Sequence, residues 1–254
     1  MTKPLPRKVL VALIAITAVG LVLRLVSSGS ISPTGDEALN LLPGTLWEAI
    51  MRDLSFNPPG FRVLVWFVTL PSSSLLLGRL VSVVAGTLAI WLLFLVSRRL
   101  LTTSQSLLAS AFLALHPWAI FHSQSLRSYS VFLFATLGVF WLAARVLEEE
   151  STNRRLAFSL GMAFLASVHY LAFLVLAPVL FVSLRRRGLR RTLLDAAPTV
   201  ALYAVLLVVV MNAVGGKAES RQLTPDYQGL QVLWDFFHTA VATGGLAGLA
   251  GSLF

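Results

Sequence analysis

Residues 156–184 read LAFSLGMAFLASVHYLAFLVLAPVLFVSL and run directly into Arg185-Arg186-Arg187, with Arg190 and Arg191 close behind. The stretch carries no acidic or basic side chain apart from His169, and it is longer than the roughly 20 residues that cross a hydrocarbon core of about 30 Å. It folds either as one long span or as a hairpin that turns at His169-Tyr170. One span places the five arginines outside the cell. A hairpin returns them to the cytoplasm, where basic loop residues concentrate. The hairpin is the expectation, and with it an all-α, polytopic transmembrane helix bundle. The composition agrees: of 254 residues, 57% are hydrophobic and only 12% charged, about half the charge of a soluble domain. Disorder, a coiled coil and a disulfide scaffold are excluded. A net charge of +9 would suggest nucleic acid in a soluble chain, but here the cations flank apolar runs and set orientation, so no nucleic-acid partner is expected. The absence of cysteine rules out thiolate metal sites and cysteine nucleophiles.

Outward from the hairpin, the other apolar runs are 9–26, 80–96, 106–121, 129–147 and 193–214. The first follows Lys3, Arg7 and Lys8 as a signal peptide would, with Ser27 and Gly29 small enough for cleavage. Arg24 intervenes and more spans follow, so an uncleaved helix is expected. Residues 61–77 are interrupted by Pro71-Ser72-Ser73-Ser74. If that run crossed, Arg98, Arg99, Arg145, Arg154, Arg155 and the later arginines would all face outward. If it lies in the interface or re-enters, they join Lys3, Arg7 and Lys8 inside, leaving Arg52, Arg62, Arg79, Arg127, Lys217 and Arg221 outside. About seven passes follow, in the plasma membrane, with the N-terminus cytoplasmic, the C-terminus outside, and an external first loop carrying short interfacial helices. Residues 1–214 form the transmembrane core. Residues 215–254 form an external C-terminal segment whose apolar, Gly-rich end leads toward a further span.

The chemistry-bearing residues fall in the external pieces. Asp36-Glu37 stands just beyond the first span, where paired carboxylates serve as a general base or hold a cation. Thr34-Gly35-Asp36-Glu37 also fits a capping box, and both readings stand. Arg127 has the donor fork for a lipid phosphate; it equally fits an arginine snorkelling to headgroups, with Trp118 and Tyr129 in the aromatic belt. His169-Tyr170 tips a hairpin whose arms of thirteen and fourteen apolar residues reach only about 20 Å each. The tip should therefore lie below the outer surface, in a recess open to the outside. Asp36, Glu37, His116, His122 and His169 show no metal-ligand spacing, so neither a metal nor another cofactor is expected, and a divalent cation has no support. No phosphate-binding loop or nucleophile elbow is present.

In order along the chain, these pieces resemble the GT-C fold, polyprenol-phosphate-sugar-dependent glycosyltransferases, in particular bacterial relatives of the protein mannosyltransferases. Asp36-Glu37 stands where that family has an acidic pair after its first span. Asn57-Pro58-Pro59-Gly60-Phe61 is similar to its His-Pro-Pro-Leu-Tyr, and Gly78-Arg79-Leu80-Val81-Ser82 to its Arg-Leu-Pro-Ser. His122-Ser123-Gln124-Ser125-Leu126-Arg127-Ser128-Tyr129 looks like Tyr-Ser-Gln-Glu-Ala-Arg-x-Tyr, and Val168-His169-Tyr170 like Thr-His-Tyr. Ser125 stands where the family has Glu, Asn57 where it has His, and family members usually continue through several more spans. The resemblance implies a membrane glycosyltransferase moving a hexosyl or mannosyl unit from a polyprenyl-phosphate donor to a hydroxyl of a glycan, lipid or protein. Transfer would occur on the external face, with inversion. Asp36 and Glu37 would be catalytic, with Asp36 the base; Arg127, Arg79, His169, Tyr170, His122, Gln124 and Tyr129 would bind substrate. The alternative is a non-catalytic GT-C-like subunit that binds lipid phosphate or assists envelope assembly, which Ser125 and the short chain favour, together with a partner membrane subunit. A transporter fits least, because helices free of mid-membrane charge lack the usual ion path.

Overall fold

The computed structural model describes residues 5–26, 28–29, 32, 34–41, 44–51 and 58–220, without the side chains of 35, 36, 39 and 210–220. The Asn57 position and the segment 221–254 lie outside the described residues. Those described form eleven α-helices and no strand. They are α1 (Arg7–Leu25), α2 (Gly35–Leu41), α3 (Leu46–Met51), α4 (Gly60–Thr69), α5 (Leu75–Ser97), α6 (Thr103–Leu115), α7 (Pro117–Ser123), α8 (Tyr129–Glu148), α9 (Thr152–Val168), α10 (Ala172–Arg187) and α11 (Leu189–Ser220). The chain divides into two compact units, Met1–Tyr203 and Ala204–Phe254; the described part of the second is helical as far as Ser220.

In the first unit α5 is the central helix. It packs against α1, α4, α6, α7 and α8, and α8 in turn packs against α9 and α10. One apolar core joins Ala135 and Val139 of α8 to Phe158, Met162 and Leu165 of α9 and Leu176 of α10. A second gathers Phe61 and Val65 of α4, Ala85 of α5, Leu126, Val131 and Val168. Leu126 is fully buried because Gly78 faces it; a Cβ at Gly78 would come within 3.0–3.1 Å of the Leu126 methyls, so the absent side chain lets the 124–128 turn settle on α5.

Among the described residues four helices are long and apolar enough to cross a membrane: Arg7–Leu25, Leu75–Ser97, Tyr129–Glu148 and Leu189–Val209. The hairpin forms where the sequence places it, with His169-Tyr170-Leu171 between α9 and α10. Its arms are longer than expected. α9 has 17 residues and α10 has 16, about 25 Å each, because Ser151 caps α9 by accepting from the Arg154 N–H and helix continues through Arg187 to Gly188. Gly188 has φ 82°, a left-handed backbone that glycine adopts without strain and that stops a helix. The 106–121 run is not one helix. Pro117 lacks an N–H and pushes His116 to extended backbone, ψ 120°, which ends α6 after 13 residues and starts α7. Helix α4, with 10 residues, spans about 15 Å and is too short to cross.

At the end of the bundle carrying the α8–α9 and α10–α11 turns, Arg187 bridges Glu150 at 2.8 Å and Asp195 at 2.5 Å, and Arg155 joins Asp195 at 3.1 Å. Asp195 is 2% exposed. Buried and shared between two guanidiniums, it ties the start of α11 to the α9–α10 hairpin.

Candidate active site

Helix α2 begins at Gly35, so Asp36 occupies its first turn; the Asp36 side chain lies outside the described residues. Glu37, one residue on, is 1% exposed. Its Oε1 accepts from Arg79 Nε at 2.9 Å and from the Leu126 N–H at 2.7 Å. Its Oε2 accepts from Arg79 Nη2 at 3.0 Å and from the Thr34 N–H at 2.9 Å. The last bond is one half of the capping box read from Thr34-Gly35-Asp36-Glu37. Burial works to raise this carboxyl, but the Arg79 bond, the two backbone N–H groups and the Arg79 charge outweigh it and hold it below the ordinary Glu range. Arg79 is fully buried and also donates to the Ser28 carbonyl at 2.5 Å. The geometry of Glu37 and Arg79 is that of an anchor. It pins α2 to α5 and to the turn preceding Arg127.

The same turn is held from two further directions. Asn40 of α2 donates to the Leu126 carbonyl at 3.0 Å and accepts from Arg62 Nε of α4 at 3.1 Å. Ser82 of α5 donates to the Arg127 carbonyl at 3.1 Å. Arg127 is half-buried, and its charge reaches His122: burial first, and Arg127 second, push His122 below the ordinary histidine value. A chain of rings leads from there to the hairpin tip. Trp118 stacks on His122 with centroids 5.5 Å apart, His122 meets Tyr129 at 4.6 Å, Tyr129 meets His169 at 6.0 Å, and His169 meets Phe132 at 5.2 Å. The Leu171 N–H donates to His169 Nδ1 at 3.1 Å, which leaves the imidazole proton on Nε2. Tyr170 sits beside it, half-buried.

The expected site residues thus fall into two groups. Arg127, His122, Tyr129, His169 and Tyr170 belong to the 122–129 turn and the hairpin tip, joined by ring contacts. Glu37, Arg79 and Gln124 hold helices. The Gln124 amide donates to the Leu23 and Val26 carbonyls at 2.9 and 2.6 Å, satisfying the C-terminus of α1. Ser125, where a second carboxylate was the comparison, donates back to the Phe121 carbonyl at 2.8 Å.

Arg24 is a residue that the sequence reading passed over as a span-end cation. It is fully buried and donates to Gly20 O, Ala114 O and Leu113 O at 2.9–3.0 Å and to Ser123 Oγ at 3.2 Å. The Leu113 and Ala114 carbonyls lie at the end of α6, left without helical partners by the Pro117 break. A cation there also opposes the helix dipole. A Cβ at Gly20 or Gly86 would lie 3.2 Å from the guanidinium. The signal was readable: an arginine inside an apolar run, a glycine four residues before it, and a proline break elsewhere supplying free carbonyls.

Two cavities lie among the described helices. One of about 300 Å³ has His122, Trp118, Tyr129, Ser130 and Arg24 in its walls. The other, about 390 Å³, lies between α4, α5, α8 and α9 and is walled by Leu64, Val68, Leu80, Val84 and Phe134. Among the described residues no three His, Asp or Glu side chains gather to hold a metal.

Compared with known families, residues 57–214 match the family model described as dolichyl-phosphate-mannose-protein mannosyltransferase. The match takes in Arg79, Arg127 and the hairpin, and begins after Asp36-Glu37. No curated protein matches the chain.

Proposed function

This chain belongs to the dolichyl-phosphate-mannose-protein mannosyltransferase family, a family of membrane glycosyltransferases that use lipid-linked sugar, and on that premise we propose that it transfers a hexosyl unit of the mannosyl type from a polyprenyl phosphate to an acceptor hydroxyl. The acceptor is a glycan, a lipid or a protein, and the anomeric configuration inverts. The observation that supports this most is the anchor between α2 and the 122–129 turn. Glu37 bonds directly to the Leu126 N–H, Asp36 precedes Glu37, and Arg127 follows Leu126. With Cα atoms 3.8 Å apart along each chain, the Asp36 and Arg127 backbones lie within about 15 Å. Two side chains projecting from such positions can face the two ends of one glycosyl phosphate.

Asp36 is the base in this reading. It takes the proton of the acceptor hydroxyl as that oxygen attacks the anomeric carbon. The bond from the anomeric carbon to the phosphate oxygen breaks, and its electron pair leaves with the lipid phosphate. Arg127 offsets the charge that grows there. His169 and Tyr170 form the floor, while Glu37 and Arg79 hold the base and the phosphate anchor in register. The chemistry requires no metal or other cofactor. Residues 1–214 are the transmembrane core, with seven passes, the N-terminus in the cytoplasm and the site on the external face of the plasma membrane.

The test is sugar transfer by purified protein from a polyprenyl-phosphate hexose. Asp36→Asn abolishes transfer and keeps donor binding, since an amide preserves shape but cannot take the proton. Arg127→Lys weakens both, because an ammonium lacks the planar fork. Full transfer by Asp36→Asn would return Thr34 to Glu37 to a capping role alone. Donor binding with no transfer by the wild-type chain would favour the non-catalytic subunit.

A further inference from the structure

The end of the bundle opposite the 122–129 turn carries charge that the proposed mechanism does not use. Arg127 stands just before α8 and Glu150 just after it, and the 20 residues of that helix put about 30 Å between them. We infer that this far end is a docking surface for anionic phospholipid headgroups, with Arg185, Arg186 and Arg190 around the α10–α11 turn as its cations.

Three observations select this partner. The first is the charge balance. The α5–α6, α8–α9 and α10–α11 turns, with the helix ends beside them, carry ten arginines and four acidic residues, and ion pairs knit them into one surface. Arg99 pairs with Glu148 and Arg154 with Glu149, while Arg155, Arg187 and Arg191 share Glu150 and Asp195. Every carboxylate is thereby taken. Arg185, Arg186 and Arg190 are exposed, and none of them meets an acidic group among the described residues. Arg190 also stands in the first turn of α11, which holds no acidic residue, so its charge opposes the positive end of that helix dipole. The second observation is the level of the guanidiniums. Arg185 lies over the Phe181 ring, Arg98 over Phe94 and Arg145 over Trp141, at 5.2–5.4 Å. On three separate helices an aromatic ring is thus followed, four residues on, by a cation folded over it, as at the boundary between hydrocarbon and headgroups. The third is the apolar surface alongside. Phe181 is 56%, Leu189 61% and Leu193 59% exposed, and Leu189–Val209 is long and apolar enough to cross a membrane. Acyl chains that cover these side chains bring their headgroups to the arginines.

Other occupants meet only part of this surface. Nucleic acid would answer the charge and leave the exposed apolar side chains uncovered. A zwitterionic lipid covers those side chains but brings a cation of its own. An anionic phospholipid supplies both the chains and an uncompensated phosphate, which a guanidinium binds well. Successive helix residues project about 100° apart, so Arg185 and Arg186 address different headgroups and do not clamp one phosphate. The feature is a surface that several lipids fill, and its charges have a role in the folded protein beyond setting the direction of insertion.

The full chain, delipidated in detergent, is offered equal amounts of phosphatidylglycerol and phosphatidylcholine with matched acyl chains, and the retained lipid is read by native mass spectrometry. The expected result is more than one lipid per chain and a preference for phosphatidylglycerol of about tenfold or more, since one arginine near an anionic lipid surface is worth about fivefold. Replacing Arg185, Arg186 and Arg190 together by Gln brings the two lipids within about twofold of each other. Lysine at the same three positions keeps most of the preference, because the charge is what a mobile headgroup meets. Where the loss of charge disturbs insertion, the wild-type chain still decides: its preference falls as ionic strength rises. Equal retention of the two lipids by the wild-type chain overturns the inference, as does a preference that the Gln variant leaves unchanged. Glycerophosphoglycerol, which has the headgroup and no chains, should not displace phosphatidylglycerol at equal concentration; displacement would reduce the surface to a phosphate site and overturn the lipid reading. Binding of a short single-stranded RNA by the chain in phosphatidylcholine vesicles, with no lipid preference, would give the surface to nucleic acid instead. None of these readings depends on sugar transfer, so the proposed function and this inference stand or fall separately.

Discussion

Glu37→Gln is the substitution whose effect is most fully determined by the geometry. The carboxylate and the Arg79 guanidinium have side chains 2% and 1% exposed, and the two bonds between them measure 2.9 and 3.0 Å. An amide must put an NH2 where one oxygen was. At Oε1 it would face Arg79 Nε and the Leu126 N–H; at Oε2 it would face Arg79 Nη2 and the Thr34 N–H. Either orientation sets donor against donor and leaves a buried cation without its counter-charge. Breaking such a pair from one side costs about 3–5 kcal/mol. At about 2–4 °C per kcal/mol for a chain of this size, unfolding falls by roughly 6–20 °C. The measurement is thermal unfolding in detergent by far-UV circular dichroism. Replacing both partners with Met should recover only the part due to the uncompensated Arg79 charge, because the Leu126 and Thr34 N–H groups and the Ser28 carbonyl also lose their partners. The pH dependence has a definite sign. The folded carboxyl titrates below its unfolded value, near 4.3, so its contribution is complete above that pH and is lost as the pH falls through the lowered folded value. Glu37→Gln should therefore flatten the acid limb of the stability profile. A drop under about 2 °C would refute the anchor.

Three other outcomes follow from the packing. Gly86→Ala puts a Cβ onto Ser123 Oγ, so either that hydroxyl swings away from Arg24, the Ala119 carbonyl and Ser130 or α7 shifts, and thermal unfolding should report a loss of about 1–3 kcal/mol. Arg24→Lys offers a single ammonium with three donors in place of a fork that spans four acceptors; at least one of them loses its partner, for a similar cost of about 1–3 kcal/mol, checked by the same melt. For topology, a cysteine at Trp118 should react with an impermeant thiol reagent in intact cells and one at Leu100 should not. Leu100 is 86% exposed in the turn after α5, and the chain has no cysteine of its own, so labelling at 100 alone would invert the proposed orientation.

What the sequence made legible was local. The break at Pro71 to Ser74 and the half of a capping box formed by Thr34 and Glu37 are written in consecutive residues, where backbone rules read them, while the turn at His169-Tyr170 came from the length of the run and the arginines after it. The Pro117 break was equally local, but a continuous apolar run hid it. The long-range pairings were not legible. Glu37 meets Arg79 across 42 positions and Leu126 across 89, and Arg24 meets Ser123 across 99. Nothing in the neighbourhood of Glu37 distinguishes a base from an anchor. That assignment needs to know which donors surround it. Motif order drew attention to these segments, and packing then placed Glu37, Arg79 and Gln124 in bonds that hold helices.

The Glu37 anchor also has a schedule. A ribosome adds about 5–20 residues per second, so the Leu126 N–H, 89 positions on, arrives roughly 4–18 s after the carboxylate it will bind. Until Arg79 emerges, 42 positions on, Glu37 is without its guanidinium partner, and until the turn after α7 is made it is without the Leu126 N–H. The bonds of Glu37 to Arg79 and to the Leu126 N–H can therefore form only after α5 and the turn after α7 have been synthesised. Completion of the anchor is late in synthesis, and a truncation between residues 79 and 126 would leave Glu37 without its Leu126 partner.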